Sequence, residues 1–357
     1  MSNSENGYSI IISRDTISQI ELYAKFLNEG GESGRYLGQI LKKIDQRTLD
    51  ERILLEALIN SKRPQIFAES HVEGDGTDWT QHELSILGDI SIGMKVSIFD
   101  NGAHQNPVVH ESPFTGYLVY TPGALLRNDR GNVPADWDAV TIENEYDRKK
   151  YFSLYERRLF PVFRYISELA VQRGRAAFLT MPGIGCGQFS GPYRGQMGYM
   201  FRAALVHLLE THGESFPGIK AVYYDPYNEC LDEDQVINGI QFIVRPLTQN
   251  NEGNSQLCEP RFLGAGVTGN FDKCELYSLV AWDHVSWPGN DYYQGSRATD
   301  DGVKAAATDT MRVMTGVEGR YSRAQKRYLP PTSFGNWNEV VSSGNIKISA
   351  KTNLYIQ

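Results

Sequence analysis

The stretch Arg175–His212 constrains the chain most. Arg175-Ala-Ala-Phe-Leu-Thr180 reads as a short buried strand, and Met181-Pro-Gly-Ile-Gly-Cys-Gly-Gln-Phe-Ser-Gly191 as a tight glycine loop. Tyr193–His212 reads as a helix, because Met197, Met200, Phe201, Leu205, Leu208 and Leu209 recur at helical spacing. Strand, glycine loop and helix in that order let main-chain N–H groups and a helix N-terminus hold a phosphate. Gly183, Gly185 and Gly187 alternate, and without Cβ atoms there a diphosphate can lie close to the backbone. A plain strand-to-helix turn uses glycine in the same way, and a lone glycine pattern is weak.

The remaining segments supply a fold for this unit. Glu143–Arg173 spaces its apolar residues as a long helix, with Pro161 a site for a kink. Gly218–Asp225, Asn238–Val244 and Leu276–Trp282 read as strands, and Gly93–Asp100 and Gly116–Thr121 as two earlier ones. Strands alternating with helices imply βαβ units and a mostly parallel sheet, hence an α/β class. Residues 1–64 read as a helical N-terminal subdomain and 65–357 as the main α/β domain. In the first part, apolar stripes mark three helices, with Thr48-Leu-Asp-Glu51 a capping-box pattern ahead of the third. Ala68–Asp89 reads as a polar loop, whose His71, Glu73, Asp75 and Asp78 form too partial a match for a metal loop.

Composition narrows the function. A formal net charge of −8 over 357 residues leaves no basic excess for general nucleic-acid binding. The apolar runs are strand-sized, so no membrane span is expected. The four cysteines form no Cys-x-x-Cys pair, which fits reduced thiols in a cytosol. The polar N-terminus has no signal-peptide pattern. Type III and IV secretion leave no such mark, so delivery into a host cytosol stays open.

A second strand–loop–helix unit, Ala281–Asp301, carries three aspartates: Asp283 at the strand end, Asp291 in the loop and Asp301 in the first helical turn. Ligands bind outside the carboxyl ends of parallel strands, so this loop and Gly183–Gly187 are expected to face one crevice. Each aspartate alone could be a turn or capping residue, with Thr299 the expected helix cap; clustering at a strand end favours function.

Together these residues resemble a divergent macrodomain, the ADP-ribose-binding fold. The correspondence runs through Leu154–Gly174, Ala176–Pro182, Gly185-Cys-Gly-Gln-Phe189, Tyr193–His212 and Tyr223-Tyr-Asp-Pro-Tyr-Asn228. Trp282-Asp283 stands where macrodomains usually show alanine and asparagine, and the second ligand loop comes late in the chain. The three aspartates with Ser286-Trp-Pro-Gly-Asn-Asp291 are similar to the arginine-specific macrodomain hydrolases, which include a bacterial effector acting on ADP-ribosylated ubiquitin. The resemblance spans roughly Gly93–Gly316. It implies a mixed, mostly parallel sheet flanked by helices with an N-terminal helical extension, and hydrolysis of the ribose–guanidinium bond by Asp283, Asp291 and Asp301 without a metal or cofactor. It also implies that ADP-ribose binds along Gly183, Ile184, Gly185, Cys186, Gly187, Gln188 and Phe189, with Asp225, Tyr227, Asn228, Trp282, Trp287 and Asn290 around it. Phe189, Tyr227, Trp282 and Trp287 could stack on the ligand or be core. Cys186 reads as a packing residue. A non-catalytic reader of ADP-ribose, a phosphatase on an ADP-ribose phosphate and a scaffold with a vestigial pocket are the alternatives.

Overall fold

The computed structural model describes residues 7–44, 49–65, 77–128, 131–253, 255–264, 267, 269–344 and 354–357. In chain order the strands are β1 (Tyr8–Ile12), β2 (Ser91–Asp100), β3 (Val109–Pro122), β4 (Thr141–Ile142), β5 (Glu145–Tyr146), β6 (Ala176–Pro182), β7 (Ile219–Asp225), β8 (Glu233–Ile237), β9 (Ile240–Val244), β10 (Cys274–Trp282), β11 (Arg320–Ser322), β12 (Arg327–Leu329) and β13 (Leu354–Ile356). Nine form one sheet in the order β13-β1-β2-β3-β10-β6-β7-β9-β8, while β4–β5 and β11–β12 are separate small pairs. The run β3-β10-β6-β7-β9 is parallel, and β1 pairs parallel with β13; β1–β2, β2–β3 and β8–β9 are antiparallel. This is the mixed, mostly parallel α/β sheet expected.

Side chains alternate across the sheet because successive strand residues point to opposite faces. On β10, Leu276, Val280 and Trp282 enter one core, which also holds the N-terminal helices and the helix Asp300–Ala307; Tyr277 and Leu279 enter the other, beneath the helices Arg148–Gln172 and Met197–His212.

Several elements depart from expectation. Tyr8–Ile12 is a strand of the main sheet, ahead of the first helix, and pairs with Leu354–Ile356. The helix Arg148–Gln172 starts later than expected, capped by Asp147, whose carboxylate accepts from the Lys150 N–H at 2.8 Å, and continues through Pro161. The third N-terminal helix, Glu51–Ser61, is capped by Asp50, which accepts from Ile53 N–H at 2.8 Å; Thr48 lies outside the described residues. Gln81–Gly88, expected as loop, is a helix with a full capping box from Thr80 and Glu83. His71, Glu73 and Asp75 lie outside the described residues, and Asp78 pairs with Arg35 at 2.6 Å.

Candidate functional site

The parallel register places strand ends side by side: Trp282 lies opposite Pro122, and Pro182 opposite Asp225. Because β10 pairs with both β3 and β6, the loops after these three strands leave the sheet together. Their approach is tight. The Gly123 N–H donates to the Trp282 carbonyl at 3.4 Å, and a Cβ on Gly123 would lie 2.4 Å from the Gly185 nitrogen. Only glycine permits that separation. The buried Tyr155 hydroxyl ties two loops, accepting from Ala124 N–H at 3.1 Å and donating to the Ile184 carbonyl at 3.0 Å.

The glycine loop is built from short main-chain turns. Ile184 N–H donates to the Pro182 carbonyl and Cys186 N–H to that of Gly183, while Ser190 donates twice to the Gly187 carbonyl. Gly185 has φ +76°, and a Cβ there would meet the Tyr155 hydroxyl at 2.8 Å. Gly187 faces open space instead. Among the described residues, the amides of Gly185 and Gly187 find no acceptor. Ile184 is fully buried, Gln188 accepts from Arg127 Nη1 at 2.9 Å, and burial pushes the Cys186 thiol far above its ordinary range.

The following helix begins later than expected. Gln188–Tyr193 forms a 3₁₀ turn broken at Gly191, and the α-helix starts at Met197. Its Gly198 N–H donates to Glu229 Oε2 at 2.6 Å. A carboxylate of this chain therefore occupies the helix N-terminus, and the amides offered to a ligand are those of the loop.

The aspartate loop is organised by its own carboxylates. Asp283 Oδ1 accepts from the N–H groups of Val285 (2.8 Å) and Ser286 (2.6 Å), and Oδ2 accepts from the Ser286 hydroxyl. Asp301, 4% exposed, accepts from Gly289 N–H at 2.6 Å and Asn290 N–H at 3.0 Å. Asp291 sits half-buried at the 3₁₀ turn Asn290–Gln294 and accepts from Thr299 Oγ1 at 2.6 Å. Thr299 caps the helix Asp300–Ala307, as expected. Burial, then the charges of Asp283 and Asp291, push the Asp301 carboxyl well above the usual carboxylate range, against its two amide donors. The three acids thus share one electrostatic environment.

Beneath them lie two polar networks that sequence reasoning did not single out. Lys304, 1% exposed, donates to Gln256 Oε1 (2.8 Å), Asp300 Oδ2 (3.0 Å) and the Leu279 carbonyl. Gln256 Nε2 donates in turn to Asp225 Oδ2 at 3.2 Å, and Asp225 Oδ1 accepts from the N–H groups of Tyr227 and Leu247. Burial raises the Asp225 carboxyl and lowers the Lys304 amine. The second network joins His284 Nε2 to Asp136 Oδ2 at 3.2 Å. Arg158 links Asp136 (2.7 Å) to Asp89 (3.0 Å). An isolated lysine, glutamine or histidine carries no signal of such a network; Thr299-Asp-Asp301 ahead of Lys304, at i,i+4 from Asp300, is the one trace in the sequence.

The aromatic residues divide. Trp282 and Trp287 are 4% and 5% exposed and belong to the core, the Trp287 indole N–H donating to the Lys62 carbonyl at 3.0 Å. Phe189 is half-buried with its ring centroid 6.1 Å from that of His284, bridging the two loops. Tyr227 is 57% exposed with φ +66°, and Asn228 N–H donates to the Pro226 carbonyl. Asn290 is buried on Asp301.

The sheet is thus centred on parallel strands, with a glycine loop and an acidic loop leaving neighbouring strand ends. The model of the family described as macrodomain effector MavL matches residues 8–334, and the chain belongs to that family. Its function is therefore an ADP-ribose-related one, in a family of effectors. No curated protein matches the chain. No helix among the described residues is long and apolar enough to cross a membrane.

Proposed function

We propose that the protein removes ADP-ribose from arginine side chains of a modified protein in a host cell, with ubiquitin the carrier that the family resemblance implies. The observation that carries this reading is three acids on one strand–loop–helix unit, Asp283 and Asp301 held by loop amides and Asp291 by Thr299, beside a glycine loop whose Gly185 and Gly187 amides find no acceptor among the described residues. The diphosphate lies on the Gly185–Phe189 amides. The bond between ribose C1″ and the guanidinium nitrogen breaks through an oxocarbenium-like state, its electron pair passing to the departing nitrogen, which takes up a proton. Water adds to C1″ and yields its proton to a carboxylate. Asp283 positions the ribose; Asp291 and Asp301 share water activation and pairing of the arginine fork. Incubation with ADP-ribosylated arginine, serine and glutamate substrates, reading free ADP-ribose, tests it: release from arginine alone is expected.

One observation favours a reader that binds without cleaving. Asp283 and Asp301 both accept two main-chain N–H groups, the work of turn-holding residues. ADP-ribose binding without release from any of the three substrates would select that reading.

A further inference from the structure

The N-terminal helices meet the aspartate loop at Lys62. Lys62, directly after the helix Glu51–Ser61, is 1% exposed. Its ammonium donates to the His284 carbonyl and lies 4.1 Å from the centroid of the Trp282 ring. The main chain adds to this. The Lys62 carbonyl accepts the Trp287 indole N–H at 3.0 Å, Arg63 N–H donates to the Val285 carbonyl at 2.8 Å, and Trp287 N–H donates to the Arg63 carbonyl at 2.7 Å. Lys62 and Arg63 therefore run as a short strand-like bridge along Val285–Trp287. The segment they hold, Trp282–Trp287, is the one whose Val285 and Ser286 amides and Ser286 hydroxyl are turned onto the Asp283 carboxylate.

A buried ammonium is costly, and a cation over an indole face beside a carbonyl recovers only part of that cost. Packing alone does not require it: methionine fills the same length without a charge. Among the described residues, the charged groups around the amine are Asp283, whose charge favours the ammonium, and Arg63, which points outward over Tyr36; His284 contributes its carbonyl. Burial holds the Lys62 amine down to about 7.

We propose that Lys62 is a positioning residue of the aspartate site, by which the N-terminal helices fix the Trp282–Trp287 segment and so the placement of Asp283. Its kinetic arm rests on the hydrolase reading. Its structural arm does not.

The test uses the full chain with Lys62→Met and Lys62→Arg. In hydrogen exchange, Lys62→Met is expected to speed exchange at the Val285, Ser286 and Trp287 amides by about tenfold or more, with the rest of the sheet unchanged. With ADP-ribosylated arginine as substrate, kcat should fall about tenfold or more while ADP-ribose affinity stays within about threefold, and Lys62→Arg should recover part of the loss. The wild-type kcat should decline as pH rises through about 7, where the ammonium loses its proton, and Lys62→Met should lack that limb.

Stability separates this role from a packing one. The amine is held below its unfolded value, so between about 7 and about 10.4 the unfolded chain binds the extra proton and wild-type stability rises with pH. Lys62→Met should therefore melt at or above the wild-type temperature below pH 7, with the advantage shrinking towards pH 10. Unchanged exchange at Val285–Trp287 in Lys62→Met overturns the proposal, as does a joint loss of melting temperature, affinity and kcat. A wild-type chain that releases no ADP-ribose defeats the hydrolase reading alone and leaves the exchange result to decide on Lys62.

Discussion

The glycine loop and the aspartate loop leave adjacent strands of one sheet, yet they are built in opposite ways. In the first, side chains are small or turned aside, and the Gly185 and Gly187 amides have no acceptor among the described residues. In the second, Asp283 and Asp301 each accept two of the loop's own N–H groups, and both side chains are buried. An amide without a partner waits for one, which a ligand can supply. A carboxylate already held by two donors is fixed before a ligand arrives, and electrostatic stabilisation of a transition state depends on such prior placement. Damage to the glycine loop should therefore weaken binding, while damage to the aspartate loop should lower rate.

The largest effect is expected at Asp291. It is half-buried and keeps one side-chain donor, Thr299 Oγ1, so Asp291→Ala should cost only about 1 kcal/mol of stability. Hydrolysis of ADP-ribosylated arginine should fall about 100-fold or more, with ADP-ribose affinity within about threefold. Steady-state kinetics with calorimetry check this. Equal losses of rate and affinity would erase the distinction between the loops.

At the glycine loop, Gly187→Val is the most direct substitution, because a Cβ there meets nothing within 4 Å. It should lower ADP-ribose affinity about tenfold or more, roughly 1.4 kcal/mol, by covering the amides rather than by unfolding the loop. Gly185→Val should instead lower the melting temperature, since Gly185 has φ +76° and sits against the Tyr155 hydroxyl and Ala124. Calorimetry and thermal melts on the two variants separate a binding surface from a packed turn. Unchanged affinity in Gly187→Val removes the diphosphate from this loop.

A smaller effect concerns the proton on Asp301. Its carboxyl is raised in the folded chain by burial and by Asp283 and Asp291, so the folded state binds more protons than the unfolded one above the ordinary carboxylate range. Stability should accordingly fall as pH rises from about 4 through the raised value. Asp301→Asn removes the titration and should flatten that decline by about 2–4 °C in melts taken across pH 4–8. An equally steep decline in Asp301→Asn would assign the proton to another group and dissolve the electrostatic sharing on which the aspartate loop depends.

What is legible in the sequence follows the range of the forces involved. Ala176–Pro182, Cys274–Trp282 and Met197–His212 are readable because burial on a sheet or helix face imposes a local period on apolar residues. The insertion of β10 between β3 and β6, which brings the two loops together, is a long-range pairing that leaves no local period. Tyr8–Ile12 escapes notice because an edge-region strand of five residues, following a polar start, is too short a pattern to stand out. Thr80 and Glu83 escape it because their capping box sits within a polar stretch. Lys62, Lys304 and His284 read as ordinary polar residues in the chain, and acquire their partners only when distant segments fold over them. The candidate acids stand out for the converse reason: three aspartates within one strand–loop–helix unit are close in sequence as well as in space.

The smallest effect bears on the glycine side of the contrast. Cys186 is the one chemically reactive side chain between Gly183 and Gly187, so a role for it would mean that this loop, too, works through a side chain. The structure argues otherwise. Its Sγ lies 3.6 Å from the Ile184 carbonyl oxygen, and burial, then the charge of Glu229, hold the thiol far above the range in which a thiolate forms at neutral pH. A thiolate, not a thiol, is the nucleophile. Cys186→Ala should therefore keep kcat and ADP-ribose affinity within about twofold, at a stability cost of about 1 kcal/mol for the small void left where the sulfur packs. Alkylation of Cys186 by iodoacetamide at pH 7, followed by mass spectrometry, should be slow against a free-thiol standard. Rapid alkylation with loss of ADP-ribose hydrolysis, or a tenfold fall in kcat in Cys186→Ala at unchanged affinity, would transfer catalytic work to the glycine loop and break the division between a loop that binds and a loop that reacts.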